Sequence, residues 1–398
     1  MNSRGRFVTT CTGAGLIRRS AFRGAWWRAA VAAVILALPA AGQEAASQVQ
    51  AEAERLQQLL AKKPISFPDN PDANRQAGDM LKSALKDQSA GRLYLSLYGI
   101  GQVSDFIHGV WFVMDKAEAV KSSVPAFEAE WEKLSASVAA LDQQTRAKNW
   151  SDSPAALRAL SETAEAMTMP LLEGGRGFAV STEPKEGLFN IGEAQGQAEF
   201  AAFVASLHLP RKGAAYPLRS LLPELASLQQ KVNAAFQPPR SIDLHAQFML
   251  INSGLKQAAD LDATKSYAGA LCQYLKAVHD YGMLEAGPVE TSRQPALKDA
   301  LAQARSRLNA SGRDESIAQL FVEWAESSLA HPDGSAPSAD DWKGASVILD
   351  QVLPAYFAAD HPLARRREPR AKRSRLPWFA GPTLEASATQ QVCWSKKF

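Results

Sequence analysis

Apolar residues recur along this chain at spacings of three and four, most densely between Leu93 and Met114. Leu93, Leu97, Ile100, Val103, Ile107, Val110 and Met114 form one apolar stripe of an α-helix. Tyr94, Tyr98, Phe106, Trp111, Phe112 and Val113 cover much of the remaining circumference. A helix apolar nearly all round is buried on several sides, so other helices must surround it. Its length invites a transmembrane reading, but Gln102, Asp105, His108, Ser96 and Ser104 oppose one. An Asp alone costs roughly 2.5–3.5 kcal/mol at a bilayer centre. The stretch reads as the central helix of a soluble helical protein.

The same period, interrupted by proline and glycine, predicts helices over about 44–63, 72–88, 90–122, 125–147, 153–172, 187–209, 223–236, 242–261, 263–284, 295–308, 315–330 and 339–358. Pro125 and Pro154 suit first turns. Ser338 with Asp341 three residues on forms a capping box. Gly174-Gly175-Arg176-Gly177 is expected to interrupt a helix, and Gly99 with Gly101 to mark a close helix crossing. The short link at 123–124 predicts that the central helix and its successor pair as an antiparallel hairpin. No strand or Asn-Gly hairpin signal is present. The expected fold is all-α, with antiparallel helical hairpins packed as an irregular α-solenoid or multi-helix bundle. Residues 210–223, rich in Pro and basic side chains, are the preferred internal boundary.

Ser266 to Asp280 resembles the second helix of a tetratricopeptide repeat at Tyr267, Ala270, Leu271, Tyr274, Ala277 and Val278. The helix before it lacks that family's aromatic and leucine positions, and no 34-residue recurrence follows. The chain is therefore read as Ala-rich helical packing and not assigned to the family.

Charge changes the picture at both ends. Residues 1–42 carry six Arg and no acid, residues 363–398 nine Lys/Arg against two Glu, and residues 43–362 29 basic against 39 acidic residues, a net −10. The start, with its apolar run Ala29–Leu38 and small residues Ala40-Ala41-Gly42, reads as an export signal cleaved after Gly42. Arg18-Arg19 resembles a twin-arginine signal, with Phe22 displaced from the usual pattern. The protein is thus expected to be periplasmic or secreted. In the tail, Arg365, Arg366, Arg367, Arg370, Lys372, Arg373 and Arg375 form a basic run without apolar period, expected to be disordered or an arm for an anionic envelope surface. Export makes nucleic acid an unexpected partner. Cys11, Cys272 and Cys393 make no disulfide framework; Cys272 is expected as a buried free thiol, with a Cys272–Cys393 bridge the alternative.

Chemistry is sparse. Asp105 and His108, three apart, share a helix face and suit two metal ligands, an acid–base couple, or a buried pair satisfying itself. No His-x-x-x-His, Glu-x-x-His or Cys-x-x-Cys accompanies them. Cys272 and His279 lie roughly 10 Å apart along a helix, too far for one metal. Neither glycine cluster is a phosphate loop, and no Gly-x-Ser-x-Gly elbow occurs. Neither cofactor nor metal is expected. The leading expectation is an exported, non-catalytic interaction or scaffold protein of a bacterial-type cell envelope with a protein partner. The alternative is an envelope enzyme or small-ligand binder with its site near Asp105, His108 and Trp111, lined by Tyr94 and Tyr98.

Overall fold

A computed structural model describes residues 40–66, 71–238, 241–330 and 336–360. Most of the expected export signal and all of the basic run from Arg365 to Arg375 lie outside the described residues, as do Cys11 and Cys393. The helices are α1 (Ala40–Lys62), α2 (Ala73–Ser89), α3 (Leu93–Val120), α4 (Val124–Arg146), α5 (Ala155–Ser181), α6 (Leu188–Ser206), α7 (Leu222–Ala235), α8 (His245–Ala263), α9 (Tyr267–Glu285), α10 (Gln294–Ala310), α11 (Ser316–Leu329), α12 (Ala339–Val347) and α13 (Leu353–Asp360). A π turn at Ile348–Val352 joins the last two. The described residues contain no strand beyond an isolated bridge between Ala214 and Arg313.

Local signals account for some helix starts. Ser123 accepts the Ala126 N–H at 3.3 Å, with Pro125 in the first turn of α4. Ser338 and Asp341 form the expected reciprocal box, with N···O distances of 3.1 and 2.7 Å. Other starts are capped by distant residues. Glu323 of α11 accepts the Leu95 N–H of α3 at 3.0 Å. Asp314 and Ser316 accept the Ala155 and Ala156 N–H groups of α5 at 2.6 and 2.9 Å. Glu162 of α5 accepts the Gly269 N–H of α9 at 2.8 Å, and Asp262 accepts the Leu221 N–H before α7 at 2.6 Å. Each bond satisfies a donor left unpaired at a helix start.

The helices pack as a bundle. Central helix α3 lies against α2, α6 and α11, and α5 against α4, α6 and α9. These long-range contacts select a bundle over a solenoid, whose units touch only chain neighbours. One core runs from Val49 and Leu56 through Leu97, Ile100 and Ile107 to Val347, Val352 and Tyr356. A smaller one gathers Val120, Phe127, Leu134, Val138, Leu172, Leu188 and Ile191.

Two local expectations are corrected. Helix α5 passes unbroken through Gly174–Gly177 and Pro170. Gly174 and Gly175 are buried there, and a Cβ on Gly175 would lie 2.6 Å from the Ile191 side chain and 2.7 Å from the Gly187 carbonyl. The glycines let the α6 entry approach α5, and that packing outweighs their poor helix propensity. Pro170 is tolerated because it lies on the solvent side. Helices α3 and α4 do not form a closely packed hairpin. Instead α4 packs chiefly on α6 and α5, because Phe127, Leu134 and Val138 find their apolar neighbours there.

The segment at 210–221 is tied on both sides. Arg211 N–H donates to the Asp152 carbonyl at 2.7 Å, and Tyr216 OH to the Tyr356 carbonyl at 2.9 Å. The Tyr216 and Tyr356 rings stack at 4.7 Å.

Candidate functional site

The midpoint of α3 meets α6 more closely than ordinary side chains allow. A Cβ on Gly196 would lie 2.6 Å from the Asp105 Cα and 2.7 Å from the Ser104 carbonyl oxygen. One on Gly192 would lie 2.7 Å from the His108 carbonyl oxygen, and those on Gly109 and Gly101 of α3 would lie 2.9 and 2.8 Å from the Phe189 and Phe200 rings of α6. Small residues at these positions bring two backbones nearly into contact, and the flanking side chains must turn aside.

Asp105 and His108 flank this crossing, and each takes its partner from α6. Asp105 accepts from the Gln197 side-chain amide at 2.7 Å and from the Phe106 N–H at 2.6 Å. His108 Nε2 lies 3.1 Å from Glu199, and its Nδ1 lies 2.6 Å from the Ser104 carbonyl. Residues two apart on a helix point about 200° apart, so Gln197 and Glu199 leave opposite sides of α6. The expected self-satisfied Asp105–His108 pair is therefore replaced by two cross-helix contacts, one on each flank.

The acceptors around His108 favour its charged form. A carbonyl oxygen faces one ring nitrogen and a carboxylate the other, an arrangement in which the imidazolium can donate from both. Burial opposes that charge, but the Glu199 hydrogen bond and charge, aided by the Ser104 carbonyl, raise the His108 pKa above its ordinary value. Burial likewise raises Glu199, yet the His108 contact and the Gln195 amide, which donates at 2.7 Å, leave it below its ordinary value. Asp105 goes the other way. Burial pushes its carboxyl up to about 7 against the pull of the Phe106 and Gln197 hydrogen bonds and the His108 charge.

Trp111 stands edge-on to His108 with ring centroids 5.9 Å apart. Its indole N–H donates to the Lys63 carbonyl at 3.0 Å, while the Lys63 ammonium sits 5.7 Å over the ring. The two tyrosines lie elsewhere. Tyr94 is buried in the core, and Tyr98 stacks on Trp324 of α11 at 6.5 Å. Burial raises both phenols, helped by Glu323 at Tyr94 and by Asp280 at Tyr98. The structure thus gathers Asp105, His108 and Trp111 at one crossing and places Tyr98 and Tyr94 about two and three turns before Asp105 along α3.

The chain matches no protein-family model, and no curated protein or solved structure matches it. The site must be judged on its own geometry.

Sequence reasoning missed the residues that complete this region. Gln197 and Glu199 sit in an Ala/Gly-rich helix with no polar motif of their own. Glu323, fully buried at the start of α3, also accepts from the Gln319 amide at 2.9 Å, and burial pushes it up to about 8. Beside it, buried Arg92 pairs with Asp87 at 2.8 Å, and Ser327 OH donates to Asp87 at 2.7 Å. His279 packs on Trp324 at 4.5 Å and meets Asp280 at 3.2 Å. Cys272 is a free thiol that burial pushes up to about 12. Among the described residues, no three His, Cys, Asp or Glu side chains are grouped to hold a metal ion, and no helix is long and apolar enough to cross a membrane.

Proposed function

We propose that this chain is an exported helical interaction or scaffold protein of a bacterial-type cell envelope, with a protein partner and no chemistry of its own. One observation carries the reading. Both nitrogens of His108 and both oxygens of Asp105 are engaged within the fold, and the Gln197 and Glu199 contacts among them tie α3 to α6. A general base needs a free lone pair facing substrate, and His108 has none in this arrangement. Export rests on the Arg-rich start, the short apolar run and the small residues before Gln43. Cleavage after Gly42 would remove the first three residues of α1 and keep its buried stripe of Ala45, Val49, Ala53 and Leu56.

The alternative, an envelope enzyme or small-ligand binder at the same place, draws on Asp105. A partly exposed carboxyl titrating near neutrality is a common mark of functional sites. The double variant Asp105→Asn/His108→Gln separates the readings. A scaffold role predicts a lower melting temperature, with partner recovery from envelope extract unchanged at temperatures where both forms are folded. A variant as stable as the parent that loses a specific small molecule or metal ion, read by native mass spectrometry, overturns the scaffold reading. Intact-mass analysis of the exported protein tests the cut, and retention of residues 1–42 counts against it.

A further inference from the structure

The start of α1 is where the export cut would leave a chemically distinctive residue. A cut after Gly42 makes Gln43 the first residue of the mature chain. The packing of α1 lies beyond that point. Gln43 is partly exposed and Glu44 exposed, whereas Ala45, Ala46, Val49, Ala53 and Leu56 are buried, and the helix packs on α2 and α3. Two hydrogen bonds hold this end. The Ser47 hydroxyl donates to the Gln43 carbonyl at 2.9 Å, and the Gln88 side-chain amide of α2 donates to the Ala46 carbonyl at 3.2 Å.

This anchoring engages the carbonyl of Gln43. The α-amine that the cut creates and the side-chain amide belong to the same residue, and rotation about two side-chain bonds brings them to the closing distance of a five-membered ring. The amine would also stand at the positive end of the helix dipole, beside first-turn N–H groups that have no intrahelical acceptor. That field disfavours an ammonium and so favours the neutral amine, the form that attacks a carbonyl carbon.

We propose that Gln43 of the exported protein is a modification site, at which the α-amine closes on the residue's own side-chain amide to give an N-terminal pyroglutamate. The α-nitrogen bonds to Cδ, the Cδ–Nε2 bond breaks, and Nε2 leaves as ammonia with a proton from the amine. Neither a redox partner nor a co-reactant is required. The ring leaves the Gln43 carbonyl in place for Ser47 and takes a positive charge away from the positive end of α1. It also removes the free amine that an aminopeptidase needs. Trimming from this end would reach Ala45 and Ala46 within three residues, so a blocked end protects the seat of α1 on α2. The inference rests on the export reading and its cut after Gly42, and is independent of the α3–α6 crossing.

The test is intact-mass analysis and N-terminal sequencing of the exported protein after prolonged incubation at neutral pH. The expected species starts at Gln43, is lighter than the encoded chain 43–398 by one ammonia, and resists Edman degradation until pyroglutamyl aminopeptidase releases the ring and exposes Glu44. Gln43→Asn is the matched control. It keeps an amide but lacks one methylene, so closure would need a strained four-membered ring, and this variant is expected at its full mass with an open amine. A chain cut after Gly42 whose Gln43 amine stays open overturns the modification and leaves the export reading standing. Retention of residues 1–42, or a cut at another bond, removes the export cut and the modification together.

Discussion

Replacing Gly196 by alanine adds one methyl group where α3 and α6 touch. In most helices that change stabilises by about 0.5–1 kcal/mol, because glycine loses more backbone freedom on folding. Here the new Cβ would stand 2.6 Å from the Asp105 Cα and 2.7 Å from the Ser104 carbonyl oxygen. Ordinary carbon contacts are about 3.5–4.0 Å. Both obstacles are backbone, so no rotamer change relieves them and the helices must separate by a large fraction of an ångström. Overpacking of this kind costs about 1–3 kcal/mol, and a backbone obstacle belongs at the upper end. Separation also stretches the Asp105–Gln197 and His108–Glu199 contacts. Gly177→Ala in α5 is the matched control, since nothing lies within 4 Å of its added Cβ. Urea unfolding followed by circular dichroism reads both. Gly196→Ala is expected to lose about 2–3 kcal/mol and Gly177→Ala to gain up to about 1 kcal/mol. Histidine NMR titration should also show a lower His108 pKa in Gly196→Ala. If Gly196→Ala proves as stable as the parent, the backbone-close crossing, and the protonation argument built on it, is wrong.

Three further expectations are independent of that crossing or only partly share it. Stability should fall as pH rises from about 5 to 8. Asp105 and Glu323 are raised to about 7 and about 8 from ordinary values of 3.8 and 4.5, so the folded state holds more protons in that window, and His108, raised above 6.5, loses its contribution as pH climbs through its folded pKa. Melting curves across that range check this, and Asp105→Asn with Glu323→Gln should flatten the slope; a stability that rises with pH there would contradict it. Arg92→Met strands the buried Asp87 carboxylate and should cost about 3–5 kcal/mol by denaturant unfolding, whereas Asp87→Asn/Arg92→Met should recover much of that loss. A chain ending at Asp360 should melt within a degree or two of the full protein, because Leu353, Tyr356 and Ala359 are already buried in α13; a large drop in melting temperature would show that residues beyond it contribute to the core.

Helix positions were legible because they depend on local periodicity. The stripe from Leu97 to Val110 is buried as its spacing implies, and Ser338 caps α12 through the residue three positions on. What failed locally had a tertiary cause. The run at 174–177 reads as a breaker because glycine has low helix propensity, and only the arrival of Gly187 and Ile191 beside it makes glycine the residue that fits. The trans caps were invisible for the same reason. Glu323 lies more than two hundred residues from Leu95, and Asp314 and Glu162 each lie more than a hundred from the amides they accept. Nothing in the spacing of an acid along its own helix announces that it will terminate another.

The candidate site shows the limit most clearly. Asp105 and His108 stood out because ionisable groups are rare in so apolar a helix, and the structure confirms that they are specially accommodated. Their helical spacing suggested a mutual pair, since residues three apart share a face. The glycines of α6 remove that option by bringing a second backbone between their side chains. Once Gly196 abuts Ser104 and Asp105, each side chain must leave by its own flank, and each requires a different partner. A carboxyl whose burial outweighs the N–H groups donating to it holds its proton to higher pH; an imidazole beside a carboxylate holds its charge. Burial, only partly offset by the Gln197 and Phe106 donors, raises Asp105, whereas at His108 the Glu199 contact outweighs burial, so both groups hold their protons to higher pH than usual.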